Sequence, residues 1–159
     1  MKPLTILVAT DFSPAARPAL ERAVQLARAH GARLQLVHAF DATRWKNLRE
    51  LAMPKKRLLA DQPNARAGAA LHALAERLQR EHGIQVSARM AMGRAARAIA
   101  AAARSAQAAL VVLGPHGHRK GDGLFLGSTA LGVVRSVACP VLVVRNAAAA
   151  PYGHVLVGM

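Results

Sequence analysis

The chain has 159 residues, is 53% hydrophobic but only 3% aromatic, and sets 22 Lys and Arg against 8 Asp and Glu for a formal charge of +14. That length bounds it to one domain burying roughly 70% of the surface of its unfolded chain, so neither a metal nor disulfides are required for folding. No apolar run approaches about 18 residues, and the start MKPLTILVATDF reaches Asp11 too early for a signal peptide, which predicts a soluble, cytoplasmic chain.

Leu4 to Thr10 reads as a short apolar strand, and Ser13-Pro14 supplies an N-cap and a first-turn proline for the helix that follows. Leu20, Ala23, Val24 and Ala27 recur at helical spacing, and His30-Gly31 ends the helix. Arg33 to Ala39 is the second strand. From Phe40 to about Arg66 periodicity is lost, and the segment reads as a long crossover with a short helix over Trp45 to Leu51. Trp45 reads as a hydrophobic anchor for that loop, with stacking on a base as the alternative, and Lys55, Lys56 and Arg57 read as a solvated face, with contact to a polyanion as the alternative.

Leu71, Leu74, Ala75 and Leu78 mark the next helix, closed by His82-Gly83. Ile84 to Met90 is the third strand, Arg94 to about Ser105 an alanine-rich helix, Ala109 to Leu113 the fourth strand, Ser128 to Val137 a helix and Val141 to Arg145 the fifth strand. Strands separated by helices at this spacing predict parallel βαβ units with right-handed crossovers, hence an α/β fold. Cys139, the only cysteine, lies in an apolar run and reads as a buried small hydrophobe. The tail from Tyr152 to Met159 echoes the first strand after a four-alanine stretch and Pro151. We read 1–146 as the domain and 147–159 as a linker and the truncated first strand of a second repeat; a C-terminal edge strand is the alternative.

The segment GPHGHRKGDGLFLGST, residues 114 to 129, carries the functional signal. Gly114 ends a strand at the carboxyl edge of the sheet, where open α/β folds place ligands, and Gly117 lets the backbone approach a phosphate. Gly127, Ser128 and Thr129 bring a helix N-terminus to the same edge, so backbone N–H groups and a hydroxyl can share phosphate oxygens. No Gly-Lys-Ser/Thr closes the loop, which excludes a P-loop, and it does not follow the first strand as a dinucleotide fingerprint does. Asp11 either accepts from a ribose hydroxyl or orients a magnesium-bound water, or it caps its own turn. His116, His118, Arg119 and Lys120 offset phosphate charge; no carboxylate or cysteine cluster accompanies the histidines, so no protein-built metal site is expected. His38 reads as a hydrogen-bonded boundary residue.

With ILVATDFS in the first strand, ARLQLVHAF in the second, Gly114, Gly117, Gly127 and Ser128 in a Gly-x2-Gly-x9-Gly-Ser/Thr pattern and ACPVLVV at the end, the chain resembles the universal stress protein family across residues 2 to 145. That resemblance implies a Rossmann-like open parallel five-stranded sheet of order 3-2-1-4-5 with helices on both faces. It implies a homodimer through Val141 to Val144, or pairing with a second tandem domain. It further implies ATP, alone or with Mg2+, with adenine and ribose near Ala9, Thr10, Asp11, Val37 and Leu113 and phosphates near Gly114, Gly117, Gly127, Ser128 and Thr129. Where members often carry Gly-x-Pro, this chain has Gly93-Arg94-Ala95, which alters a turn and leaves the nucleotide loop intact.

Three functional classes follow. The first is an ATP-binding stress-response regulator, at most a slow ATPase or self-phosphorylating protein, because no base, metal pair and in-line lysine can be assembled from these residues. The second is a dimerisation or protein-interaction domain without functional nucleotide. The third is polyanion binding through the basic excess, disfavoured because no aromatic platform or nucleic-acid motif accompanies the charge.

Overall fold

A computed structural model describes residues 3–41, 62–116 and 126–146. The readings placed on Trp45, on Lys55 to Arg57, on Gly117 to Lys120 and on the tail from 147 fall outside those residues. The elements in chain order are β1 (Thr5–Ala9), a 3-10 turn (Pro14–Ala16), α1 (Arg17–His30), β2 (Arg33–Phe40), α2 (Gln62–His82), β3 (Val86–Met92), α3 (Ala95–Ser105), β4 (Leu110–Leu113), α4 (Ser128–Ser136) and β5 (Val141–Val143). All strand pairs are parallel and the order is β3-β2-β1-β4-β5, as the resemblance implies.

Side-chain alternation along the strands divides the core in two. Ile6 and Val8 of β1 with Leu34 and Leu36 of β2 meet Ala19, Ala23 and Ala27 of α1 and Leu71, Ala75 and Leu78 of α2. Leu7 and Ala9, with Val37, Val111 and Leu113, face Ala98, Ile99 and Ala102 of α3 and Ala130 and Val133 of α4. Small residues replace aromatic bulk as the filling, and the helices approach closely in return. At Gly132 of α4 a Cβ would stand 2.6 Å from the Ala96 Cβ of α3. Cys139 packs, partly buried, against this second core as the small hydrophobe expected.

Several boundaries differ from the sequence reading, three of them at element starts. Ser13 precedes the 3-10 turn but makes no side-chain cap, and regular α1 begins at Arg17 with a proline in its first turn. A helix start that puts Pro18 in the first turn suits that residue, which has no N–H to place in the ladder. The second helix starts earlier than its apolar stripe, at Gln62, where Pro63 again fits a first turn. The third strand runs from Val86 to Met92 because its register pairs Leu34 with Val86 and Phe40 with Met92.

From β1 the chain crosses through α1 to β2 on one side, whereas from β4 it crosses through α4 to β5 on the other. The carboxyl ends of β1 and β4 are therefore a topological switch point, where adjacent loops diverge and leave a crevice.

Candidate functional site

β1 runs into a turn fixed by its own side chains. Phe12 N–H donates to Thr10 Oγ1 at 3.1 Å, and Ser13 N–H donates to Asp11 Oδ1 at 3.0 Å. Phe12 is thereby held at φ 63°, a left-handed conformation that a bulky residue rarely adopts. Its half-exposed ring lies 5.0 Å from the His38 ring, centroid to centroid.

His38 secures the turn from β2. Its Nδ1 lies 2.9 Å from the Thr10 carbonyl oxygen, which can only accept, so Nδ1 carries the proton and the neutral ring keeps Nε2 as an acceptor. Thr10 N–H in turn donates to Val37 O at 2.9 Å. The boundary role read for His38 is the one it plays. Asp11 likewise shows the turn-capping role weighed for it, through one of its two carboxylate oxygens.

The glycine loop meets this turn directly. A Cβ on Gly114 would lie 2.8 Å from the Ala15 carbonyl oxygen, closer than packed atoms allow, so only glycine lets the end of β4 pass beneath the β1–α1 connection. Gly127 N–H donates to Pro115 O at 2.7 Å, and Gly127 O accepts from Leu131 N–H at 3.0 Å. The Gly127 N–H, one of the groups expected to face a phosphate, thus closes the neck of the loop instead. The donors left at that terminus by helix geometry are the N–H groups of Ser128, Thr129 and Ala130, which precede the first intrahelical bond.

The ten positions singled out from sequence separate into three kinds. Ala9, Val37 and Leu113 are buried together under α3 and α4, so their side chains form a floor beneath the carboxyl edge rather than a contact surface. Thr10, Asp11, Gly114, Gly127, Ser128 and Thr129 lie at the strand ends and the first turn of α4. Gly117 lies outside the described residues. Phe12 and Ala15 complete the edge and were not singled out; the left-handed turn and a contact spanning most of the chain leave no signal in local sequence.

A separate groove of about 1350 Å³ runs between α1 and α2, from Thr10 and Phe12 down to Arg80 and His82. Among the described residues of those ten, only Thr10 lines it. Among the described residues no three His, Cys, Asp or Glu side chains are grouped to hold a metal, and no helix is long and apolar enough to cross a membrane.

Comparison with known proteins agrees with this fold. Residues 4–145 match the sequence model of the universal stress protein family. The chain belongs to that family. It is 36% identical over 144 residues to a universal stress protein of Thermus aquaticus, covering 89% of this chain and 98% of that one. A universal stress protein of Mycobacterium tuberculosis is 32% identical over 145 residues, and there the match covers 89% of this chain but 45% of the relative. Among solved structures, the universal stress protein UspA from Lactobacillus plantarum superimposes with a TM-score of 0.72 at 24% identity, over 91% of this chain and 99% of that one. A universal stress protein solved in complex with cAMP reaches 0.65 at 26% identity, over 90% and 97%.

Proposed function

We propose that this universal stress protein domain is a cytoplasmic, ATP-binding regulatory module whose nucleotide lies across the carboxyl ends of β1 and β4. The observation that carries the reading is the junction of Gly114 with the Ala15 carbonyl at the switch point, because it sets the Asp11 turn beside the glycine loop and the first turn of α4. Asp11 meets the ribose, and the Ser128, Thr129 and Ala130 N–H groups meet phosphate oxygens together with Gly117. The cAMP complex of a relative at 26% identity supports a nucleotide as the ligand. Mg2+ would enter on the triphosphate oxygens, with Asp11 as a candidate carboxylate, since Mg2+ is commonly held by one or two carboxylates plus substrate phosphates. Occupancy rather than turnover carries the signal.

Calorimetric titration of refolded, nucleotide-free protein with ATP and magnesium tests the reading. Saturable 1:1 binding that Gly117→Val abolishes supports it. A folded sample that binds no nucleotide rejects it and leaves a dimer-forming domain.

The second reading, a homodimerisation role, rests on β5. Val144 N–H donates to Leu113 O and Pro140 O accepts from Val111 N–H, so alternate residues 140, 142 and 144 face β4. Val141 and Val143 then direct their backbone groups to the outer edge, a template for a second copy. The domain boundary at 146, with 147–159 opening a second repeat, belongs to the same proposal; the chain spans 45% of its mycobacterial relative.

A further inference from the structure

Charge is segregated between the two helical layers. Among the described residues every carboxylate side chain precedes Gly83: Glu21, Glu76 and Glu81 lie on α1 and α2, Asp11 follows β1, and Asp41 follows β2, whose Phe40 carbonyl accepts from the Gly93 N–H just before Arg94. The described residues from Gly83 onward carry arginines and no Asp or Glu. On α2 two of the exposed arginines are answered locally, Arg77 by Glu81 at 4.0 Å and Arg80 by Glu76 at 3.9 Å. On α3 no acid is within reach along the helix.

The α3 arginines form a ridge. Arg97 and Arg104 of α3 are exposed and, at 3.6 residues per turn, stand about 20° apart around the helix and about 10 Å apart along it, and exposed Arg94 is the N-cap residue just before the first turn. Exposed Arg89 of β3 joins them, its Nη1 donating to Ser105 Oγ at 2.9 Å, which pins the guanidinium against the last turn of α3. We propose that this ridge of Arg89, Arg94, Arg97 and Arg104 docks the phosphodiester backbone of double-stranded nucleic acid without regard to sequence.

Three features favour a duplex backbone over other anions. Guanidinium groups match phosphate oxygens in bidentate geometry, and a rigid helix presents them in a line. A protein partner would need an apolar anchor at the centre of the contact, but between Arg97 and Arg104 the exposed residue is Ala101, and α3 exposes no large apolar side chain. Backbone docking to a duplex needs no stacking platform, so the shortage of aromatic residues that disfavours single strands does not weigh against it. The ridge lies over β2 and β3, away from β5, and does not compete with an edge-to-edge dimer.

The test is fluorescence anisotropy of a labelled mixed-sequence DNA duplex of roughly 20 base pairs, titrated between about 50 and 200 mM salt. Four phosphate contacts predict a slope of log K against log salt of about −3.6. Arg97→Glu with Arg104→Glu should flatten it by about two units while thermal unfolding and ATP titration stay unchanged. The matched reversal Arg77→Glu with Arg80→Glu on α2 should leave it in place. A slope shallower than about −1 would overturn the proposal. So would equal loss in the α2 variant, or tighter binding of poly-glutamate than of the duplex, which would assign the ridge to an acidic protein.

Discussion

Gly114 sits so close beneath Ala15 that a Cβ on it would be 2.8 Å from the Ala15 carbonyl oxygen. Both groups are backbone, so neither can rotate aside. Gly114→Ala should cost about 1–3 kcal/mol, the usual penalty of overpacking, and lower the midpoint of thermal unfolding by several degrees. Calorimetric unfolding measures it; an unchanged midpoint would mean that the two loops do not touch in solution.

Two helical glycines give opposite expectations for one substitution. At Gly68 in α2 the nearest atom to a new Cβ is Met90 Cγ at 3.8 Å, an ordinary contact, so Gly68→Ala should stabilise by up to about 1 kcal/mol through helix propensity. At Gly132 the same gain is opposed by the Ala96 Cβ at 2.6 Å, and Gly132→Ala should destabilise by about 1–3 kcal/mol as α3 and α4 are forced apart. Urea unfolding of both variants should move the midpoint in opposite directions.

Asp11 can be divided into its two roles. Asparagine keeps the side-chain oxygen that accepts from Ser13 N–H and removes the charge, so Asp11→Asn should retain stability. If Asp11 serves the nucleotide, ATP affinity should fall about tenfold, or 1.4 kcal/mol. Asp11→Ala should lose the same affinity and a further 0.5–1.5 kcal/mol, approximately the worth of the lost turn bond. Parallel calorimetry and thermal unfolding separate these outcomes, and full affinity in Asp11→Asn would leave the carboxylate a turn cap alone.

The outer edge of β5 tests the dimer. Proline at Val143 removes an N–H that the alternation directs away from β4, leaving intact the bond from Val144 N–H to Leu113 O and the bond from Val111 N–H to Pro140 O. Val143→Pro should therefore be monomeric by light scattering in a concentration range where the parent is dimeric, with its far-ultraviolet circular dichroism preserved. A parent that is monomeric throughout that range would reject edge pairing.

Elements whose meaning is local were legible in the sequence. The stripe of Leu20, Ala23, Val24 and Ala27 found its helix, and the segment Arg33 to Ala39 read as the second strand is one, covered on both faces. Strand order came from family resemblance, since periodicity does not say which neighbour a strand chooses. The site was legible as a set of glycines near strand ends but not in its wiring. Nothing near Gly114 announces Ala15, and nothing near Gly127 announces that its N–H serves Pro115. Val37 was assigned beside the ligand by position, yet it points into the core, because its exposure depends on which face α3 covers. The one-signed α3 layer was hidden within the overall +14, which reports the excess and not where the acids are gathered.

The 2.7 Å bond from Gly127 to Pro115 joins the two ends of the intervening stretch through backbone atoms alone. The side chains of the intervening stretch take no part in that fastening, so their substitution leaves the bond in place, whereas a Cβ on Gly127 itself would stand 3.1 Å from the Pro115 oxygen. The closure is thereby uncoupled from the side chains of the stretch it closes, which are free to vary while Gly127 is not.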